Sequence, residues 1–473
     1  MKNSYIYMIG EIIPKMLGLL LLPIMTRYLT PEDYGIIAYV DAIIIFIFVF
    51  SVMSLNSYIL REYFELKDKV KQEKLIGNFF LFLIIYNFIS VFIFIGLLSL
   101  LLNFLDLQFD FFHIMLLALI GNFFEIFSIF PQIIYRIQEK AIPYIYFTIS
   151  KTSLQMGSII VLLIYLDQGV LSKYYGVLGV NALFAIISLY IVSKNATFSF
   201  DMTQIKEGLK FSLPLVIGAL SFLILDVSDR FILKQYVSLS DLGLYSIAYT
   251  LGFAVNVIIN GSYKAFEPLL FKEAKQDNFI NSFYAIKKQY LFLVFTTGLL
   301  VIMFSQELLY FMTSEKFYEA YYLVPFIVLA AISKGIYMLY AVLLMIQKKT
   351  KLLSQAVLLG AIVNIGINLL FMKEYGSIVA AISTFVAFLT MTMIVHVKTF
   401  QYYSFSLLKE AKEYFIVFGF LVLSYLLYYY LDIKLTLNIF LIKILISTFL
   451  LFTLLKFYDV KVLNLLKKVK HAN

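Results

Sequence analysis

Apolar residues run in stretches of membrane-spanning length along almost the whole chain, separated by short polar connections. The runs fall at about 5–27, 35–60, 77–102, 109–134, 143–166, 173–193, 211–234, 242–263, 289–312, 321–346, 352–372, 376–397, 412–431 and 438–456. At a rise of about 1.5 Å per residue, some 20 residues cross a hydrocarbon core of about 30 Å. Lipid offers no partner to a free backbone amide or carbonyl, so each run is expected to be a helix. The pattern predicts an all-α integral membrane protein with fourteen transmembrane helices. An even number of crossings puts both termini on one side. The longest internal connection, around 264–288, has some 25 residues, which leaves no room for a soluble domain.

Composition agrees. Of 473 residues 62% are hydrophobic and 14% charged, against about half and a quarter in soluble domains. Cysteine is absent, which excludes disulfides, a thiolate nucleophile and zinc–sulfur sites. Tryptophan is absent as well, so interfacial aromatics come from the 36 Tyr and 48 Phe. The net charge of +9 has a location. With cytoplasmic termini, 27 of the 38 basic residues lie on inner segments, six on outer ones and five within spans. A miscounted helix would invert that alternation downstream of the error, and no inversion is seen; the termini are therefore read as cytoplasmic. By the same rule the basic stretch 61–74 is a membrane anchor, not a nucleic-acid surface. The N-terminal run follows Lys2, contains Glu11 and Lys15 and has no small-residue cleavage site behind it, so it reads as a retained helix.

The chain repeats itself. Tyr28-Leu29-Thr30-Pro31-Glu32-Asp33-Tyr34-Gly35 matches Tyr236-Val237-Ser238-Leu239-Ser240-Asp241-Leu242-Gly243 at an offset of 208 residues, and Ile137-Gln138-Glu139-Lys140 matches Ile346-Gln347-Lys348-Lys349 at 209. A third match, Tyr175-Gly176 with Tyr375-Gly376, has an offset of 200. Matches in order, six helices apart, predict two parallel six-helix lobes, residues 1–200 and 201–400, then a helix pair at 401–457 and a basic cytoplasmic tail at 458–473. Such lobes are the scaffold of transporters that rock around a midplane site.

Charges inside spans cost a few kcal/mol each and mark function or a partner. The basic ones are Lys15, Lys151, Arg230, Lys334 and Lys443; the acidic ones are Glu11, Asp41, Glu125, Asp226 and Asp229. Lys15, Lys151 and Lys334 fall at mid or inner-mid depth, a pattern that suits a cationic cavity between the lobes holding a phosphate or pyrophosphate. Glu11 lies four residues before Lys15 and is a local partner for it. Lys151 and Lys334 have no acidic residue within one turn. Asp226, Asp229 and Arg230 share one helix face, as a cation site or as a static outer gate. Glu125 is the leading candidate for a protonatable coupling carboxylate. Asp41 lies close enough to the outer interface to be solvated, and Lys443 is expected to snorkel to the outer headgroups. Asn56, Asn87, Asn181, Asn256, Asn364 and Asn368 are expected to form interhelical hydrogen bonds. His113 and His396 stand alone near helix ends, with no metal cluster to join.

The order of several motifs resembles bacterial polysaccharide flippases, the O-antigen and capsule transporters of the multidrug/oligosaccharidyl-lipid/polysaccharide exporter superfamily. The resemblance rests on Pro14 with Arg27-Tyr28-Leu29-Thr30-Pro31-Glu32-Asp33-Tyr34-Gly35, on Gly208-Leu209-Lys210-Phe211-Ser212-Leu213-Pro214-Leu215, on Asp229-Arg230-Phe231-Ile232, on Asp241-Leu242-Gly243-Leu244-Tyr245, and on Asn368-Leu369-Leu370 through Tyr375-Gly376-Ser377-Ile378-Val379-Ala380-Ala381. It implies a multi-pass protein of the bacterial cytoplasmic membrane that moves undecaprenyl-pyrophosphate-linked oligosaccharide to the outer leaflet by alternating access. It also implies coupling to H⁺ or Na⁺, a tail groove at helices 13 and 14, and polymerase and other polysaccharide assembly proteins as partners. No other cofactor is expected. The family's cavities are arginine-rich, whereas three of the four cations here are lysines, which lack the bidentate guanidinium geometry.

Two other readings compete. Drug or small-cation export on the same scaffold would favour a cavity of carboxylates and aromatics without mid-depth lysines. A membrane polymerase or ligase would carry a long, charged outer loop. No G-x-x-x-x-G-K-[ST], G-x-S-x-G or H-E-x-x-H motif occurs, so neither ATP-driven nor hydrolytic chemistry is expected, and the chain is read as a transporter and not an enzyme.

Overall fold

The computed structural model describes residues 2–101, 110–274, 276–405, 407–430 and 436–458. The chain divides into two compact units, Met1–Phe231 and Ile232–Asn473. The first holds α1 (Lys2–Tyr28), α2 (Pro31–Val52), α3 (Leu55–Glu65), α4 (Lys69–Leu101), α5 (Phe111–Phe127), α6 (Ile129–Ile137), α7 (Ala141–Ile164), α8 (Leu171–Ser193) and most of α9 (Met202–Tyr236). The second holds α10 (Leu239–Glu273), α11 (Phe279–Met303), α12 (Ser305–Met312), α13 (Val324–Ile346), α14 (Thr350–Tyr375), α15 (Ser377–Thr399), α16 (Leu407–Tyr430) and α17 (Leu437–Phe457). A 3₁₀ stretch, Glu315–Tyr322, precedes α13. No strand occurs among the described residues.

Over the described residues each of the fourteen apolar runs falls mainly on helix. Among the described residues, twelve spans are long and apolar enough to cross a membrane. Two of them, Pro31–Glu65 and Phe111–Ile137, are made of two helices end to end. The first breaks at Met53 and Ser54, both left-handed. The second breaks at Ser128, where Pro131 has no amide to offer the carbonyl of Phe127. The helices α1 and α16, some of whose side chains are not described, are not among the twelve.

In the first unit Leu55, Ile59, Phe79, Phe80 and Phe130 form a fully buried apolar centre. In the second, α13 is buried along nearly its whole length, packed against α15, α10 and α11. Large apolar residues also face outward, as on α4 (Phe88, Ile89, Phe92, Ile93) and α17 (Leu441, Leu445, Phe449, Phe452). Outward apolar faces of this length are what a lipid solvent selects.

Two of the three repeat matches recur as identical local geometry. Thr30 and Ser238 each cap a helix with a reciprocal box. The Asp33 amide donates to Thr30 Oγ1 (3.2 Å) and Asp33 Oδ2 accepts from the Thr30 amide (2.8 Å). The Asp241 amide likewise donates to Ser238 Oγ (3.1 Å), and Asp241 Oδ2 accepts from the Ser238 amide (3.3 Å). At the other match, Glu139 and Lys348 are both left-handed, and the amides of Lys140 and Lys349 each close a bond to the carbonyl five residues back. The third match is sequence only. Gly176 sits inside α8, five residues past its start, whereas Gly376 separates α14 from α15 at φ +68°.

The 25-residue connection expected around 264–288 is mostly helix: α10 continues to Glu273 and α11 begins at Phe279. Lysines read as loop residues therefore stand on helices, and one of them, Lys287, is buried.

Candidate functional site

In the first unit a cavity of about 210 Å³ opens between α2, α5 and α8. Its wall is mostly apolar, from Ile44, Phe48, Leu117 and Val177, with Asp41, Asn122, Glu125, Lys173, Tyr174 and Asn181 as the polar groups. Two asparagines in the wall are fixed by other helices. Asn122 Nδ2 donates to Ser51 Oγ (3.1 Å), and Asn181 Nδ2 donates to the Gly121 carbonyl (2.9 Å) while its Oδ1 accepts from Gln155 (2.8 Å).

The charges of this cavity come in pairs drawn from different helices. Lys151 on α7 is the buried member of one pair. Its Nζ donates to Glu125 Oε2 at 2.6 Å and to Ser128 Oγ at 2.9 Å. The Lys151 side chain is 7% exposed and that of Glu125 32%, so the carboxylate faces the cavity and the ammonium stands behind it. Both partners of Lys151 lie at the α5–α6 break, so the lysine also fastens that interruption. The second pair joins Asp41 on α2 to Lys173 at the start of α8. Counted together, the two pairs are neutral.

The structure thus unites Lys151 and Glu125, which sequence reading separates into an anion-binding cation and a coupling carboxylate. Their separation of 26 residues hides the pair from any within-one-turn criterion. Asp41, expected to be merely solvated, has a lysine partner. On α9, Asp229 and Arg230 are buried; Arg230 Nη1 donates to the Asp226 carbonyl (2.8 Å) and lies 3.5 Å from Asp229 Oδ1. The guanidinium is therefore engaged by its own helix. The side chains of Glu11 and Lys15 lie outside the described part of α1.

In the second unit Lys334 on α13 is half-buried, with its ammonium 5.2 Å from the centre of the Phe388 ring, a cation–π contact. Asn364 and Asn368 bond across to α15: Asn364 Nδ2 donates to Ser383 Oγ (3.2 Å) and Thr384 Oγ1 (3.3 Å), and Ser383 Oγ donates to Asn368 Oδ1 (2.7 Å). With Asn87, which donates from α4 to the Ser51 carbonyl on α2 (2.9 Å), these follow the interhelical role expected of span asparagines.

Lys443 is not at the surface. It is 2% exposed and donates to Glu307 (2.8 Å) and Gln306 (2.9 Å), tying α17 to α12. A buried carboxylate within reach outcompetes snorkelling, because an ammonium in a dry site keeps its charge only with a partner. His396 does not stand alone either. It lies with Lys287, Glu410 and Glu413 in a buried cluster that the sequence does not announce. The available signal was the i,i+3 spacing of Glu410 and Glu413 at the start of a span.

Residues 1–273 match the family described as polysaccharide biosynthesis protein. An uncharacterised membrane protein of Haemophilus influenzae is 25% identical over 373 residues, covering 77% of this chain and 88% of its own length. A second protein of that organism, named for the Lsg locus, is 24% identical over 373 residues, covering 76% and 88%. Among solved structures, the lipid II flippase MurJ in an inward closed conformation superimposes with a TM-score of 0.73 at 16% identity, over 95% of this chain and 98% of that one. An inward-facing multidrug resistance MATE transporter of the MOP superfamily gives 0.66 at 14% identity, over 82% and 94%. At these identities the two structures speak for the fold. The matched family, which spans more than half of the sequence, places this chain among the polysaccharide biosynthesis proteins as a multi-pass, all-helical membrane member with the fold of MurJ and the MATE transporters.

Proposed function

We propose that this protein is a flippase that moves an undecaprenyl-pyrophosphate-linked oligosaccharide from the cytoplasmic to the outer leaflet of the bacterial cytoplasmic membrane, driven by H⁺ or Na⁺. Family membership, the fold shared with a lipid II flippase and the mid-membrane lysines support the reading. The observation that carries it is the Lys151–Glu125 pair at the wall of the first unit's cavity.

An ammonium held at 2.6 Å by a carboxylate is not available to a phosphate. A proton or cation on Glu125 removes that competition and leaves the positive charge of Lys151 to an anionic headgroup; return of the Glu125 charge expels it. Ion binding and substrate binding are then linked through one pair of side chains. Lys334, Lys15 and Arg230 are assigned as further contacts for the pyrophosphate. Asp41, Asp226, Asp229 and Glu11 are assigned as secondary coupling groups.

The test is translocation of a fluorescent polyprenyl-pyrophosphate oligosaccharide by the purified protein in proteoliposomes. Lys151→Ala and Lys334→Ala should each lower the rate by about ten- to a hundredfold, the equivalent of one charge-assisted hydrogen bond. Glu125→Gln should keep binding but lose its response to an imposed ion gradient. Full activity in both lysine variants sinks the proposal. Export of organic cations with no lipid-linked flipping would replace it with the drug-exporter reading, and product of higher glycan length with the polymerase reading.

A further inference from the structure

Four helices of the second unit bring titratable side chains to one dry place. Lys287 on α11 has Nζ 2.7 Å from Glu410 Oε2 and 3.0 Å from Glu413 Oε1, both on the first turns of α16. From α13 the Tyr340 hydroxyl donates to Glu410 Oε2. From α15 the ring of His396 is stacked on Tyr340 (centroids 4.0 Å apart), with Nε2 3.0 Å from Glu410 Oε2 and Nδ1 2.7 Å from the Tyr414 hydroxyl. The side chains of Lys287, His396, Glu410 and Glu413 are each 5% exposed or less.

Among the described residues the charges do not balance. Two carboxylates and one ammonium sum to −1 when the imidazole is neutral. The other titratable groups that face the carboxylates, Tyr340, Tyr414 and Tyr458, bring no positive charge, and Tyr284 faces the ammonium. Of the other cations on α16, Lys412 is exposed and stands over the Phe457 ring, and the side chain of Lys409 lies outside the described residues. An uncompensated charge in such a site costs several kcal/mol, and one added proton removes it. The geometry offers that proton two places. Glu413 Oε2 is buried with no hydrogen-bond partner. His396 Nε2 is likewise buried without an aligned hydrogen bond, 3.0 Å from Glu410 Oε2, so a second ring proton would stand beside that carboxylate while Nδ1 stays 2.7 Å from the Tyr414 hydroxyl.

We propose that Lys287, His396, Glu410 and Glu413 form a proton-binding site, and that its proton holds the first turns of α16 against α11, α13 and α15. The proton is shared between His396 and Glu413, so the cluster titrates as one group. When it leaves, the residual negative charge is relieved by water, and the end of α16 that carries both carboxylates comes away from its three partners. The site is separate from the Lys151–Glu125 pair and does not depend on what the protein transports.

The chain contains no cysteine, so a single Val417→Cys, one turn beyond Glu413 and buried, reports this seating without background. The full-length variant in phospholipid nanodiscs is labelled with a water-soluble maleimide. At each pH its rate is divided by that of the same variant unfolded, which removes the pH dependence of the thiol itself. The normalised rate should rise about tenfold between about pH 5 and about pH 9. Adding Glu413→Gln, which fixes the neutral form, should hold the rate low throughout. Adding His396→Gln instead, which leaves one of the two proton positions, should move the midpoint by about one pH unit or more. The His396 variant decides the matter if the Glu413 variant does not fold. A flat profile in the parent, or a rise with an unchanged midpoint in the folded variants, overturns the proposal.

Discussion

Lys151 Nζ and Glu125 Oε2 are 2.6 Å apart, but the two partners are buried unequally, at 7% and 32% side-chain exposure. That asymmetry predicts unequal costs of breaking the pair. Glu125→Gln leaves an ammonium in a dry site with two neutral acceptors, the amide oxygen and Ser128, and no counter-charge, and should destabilise by about 2–3 kcal/mol. Lys151→Met leaves a carboxylate that can hydrate through the cavity, and should cost about 1 kcal/mol or less. The double variant, Lys151→Met with Glu125→Leu, should be as stable as the parent within about 1 kcal/mol. Thermal unfolding in detergent compares the three. Equal losses in the two single variants would mean that the cavity does not hydrate the carboxylate.

Gly77 and Gly179 give opposite expectations for the same substitution. A Cβ on Gly77 of α4 would run into the Thr197 carbonyl, part of a segment pinned to α4 by the Thr197 amide on the Glu73 carbonyl (3.1 Å) and by Asn78 with Asp201 (2.9 Å). Backbone cannot rotate aside as a side chain can, so Gly77→Ala should cost about 2–3 kcal/mol. Gly179 on α8 has nothing within 4 Å of its Cβ position, and Gly179→Ala should be neutral or slightly stabilising, by about 0.5–1 kcal/mol. The ratio of folded to aggregated protein in fluorescence-detected size exclusion separates the two.

The sequence made the helices legible because lipid leaves the backbone no other choice, and because charges in the connections sort by side. It made the repeat legible where the matched residues do local work: Thr30 with Asp33 and Ser238 with Asp241 close their boxes within four residues. What it concealed is every contact between distant segments. Glu125 finds Lys151 across 26 residues, Lys287 finds Glu410 across 123, and Lys443 finds Glu307 across 136. Each of these lysines, read along the chain alone, is a solitary cation or a loop residue. Helix continuation misled in the same way. Lys287 reads as polar connection because it flanks Lys288, yet it is drawn into the bundle by two carboxylates that sit past the next four α-helices.

The paired capping boxes make a prediction about symmetry. Thr30→Ala and Ser238→Ala each remove the side-chain acceptor of one amide and the partner of one aspartate, at a cost of about 1 kcal/mol each. Because the boxes belong to different units, the two costs should add within about 0.5 kcal/mol in the double variant. Asp33→Asn and Asp241→Asn should be milder, since the amide oxygen still accepts. Thermal melts of the four single variants and the double variant test this; a double variant no worse than either single one would mean that the boxes are energetically redundant.

The helix α17 is held by a buried charge, and that makes its attachment separable from the rest of the fold. Lys443 on α17 contacts Glu307 on α12 at 2.8 Å with both side chains at 7% exposure or less, whereas much of α17 is apolar and faces outward. An apolar helix in lipid gains little from hydrophobic burial against its neighbours, so specific polar contacts weigh more in fixing its position than they would in water. Glu307→Ala leaves the ammonium of Lys443 without its carboxylate in a dry site, at a cost of about 3–5 kcal/mol, and the helix should shift so that this charge reaches the interface. Replacing both, Glu307→Leu with Lys443→Leu, removes the penalty and should restore the position. Ser447, one turn further along α17 and buried, is a suitable reporter in this cysteine-free chain. In Ser447→Cys backgrounds, maleimide labelling should be slow in the parent, faster by about tenfold or more with Glu307→Ala, and slow again in the double leucine variant. Slow labelling in all three would show that packing alone holds α17 in place.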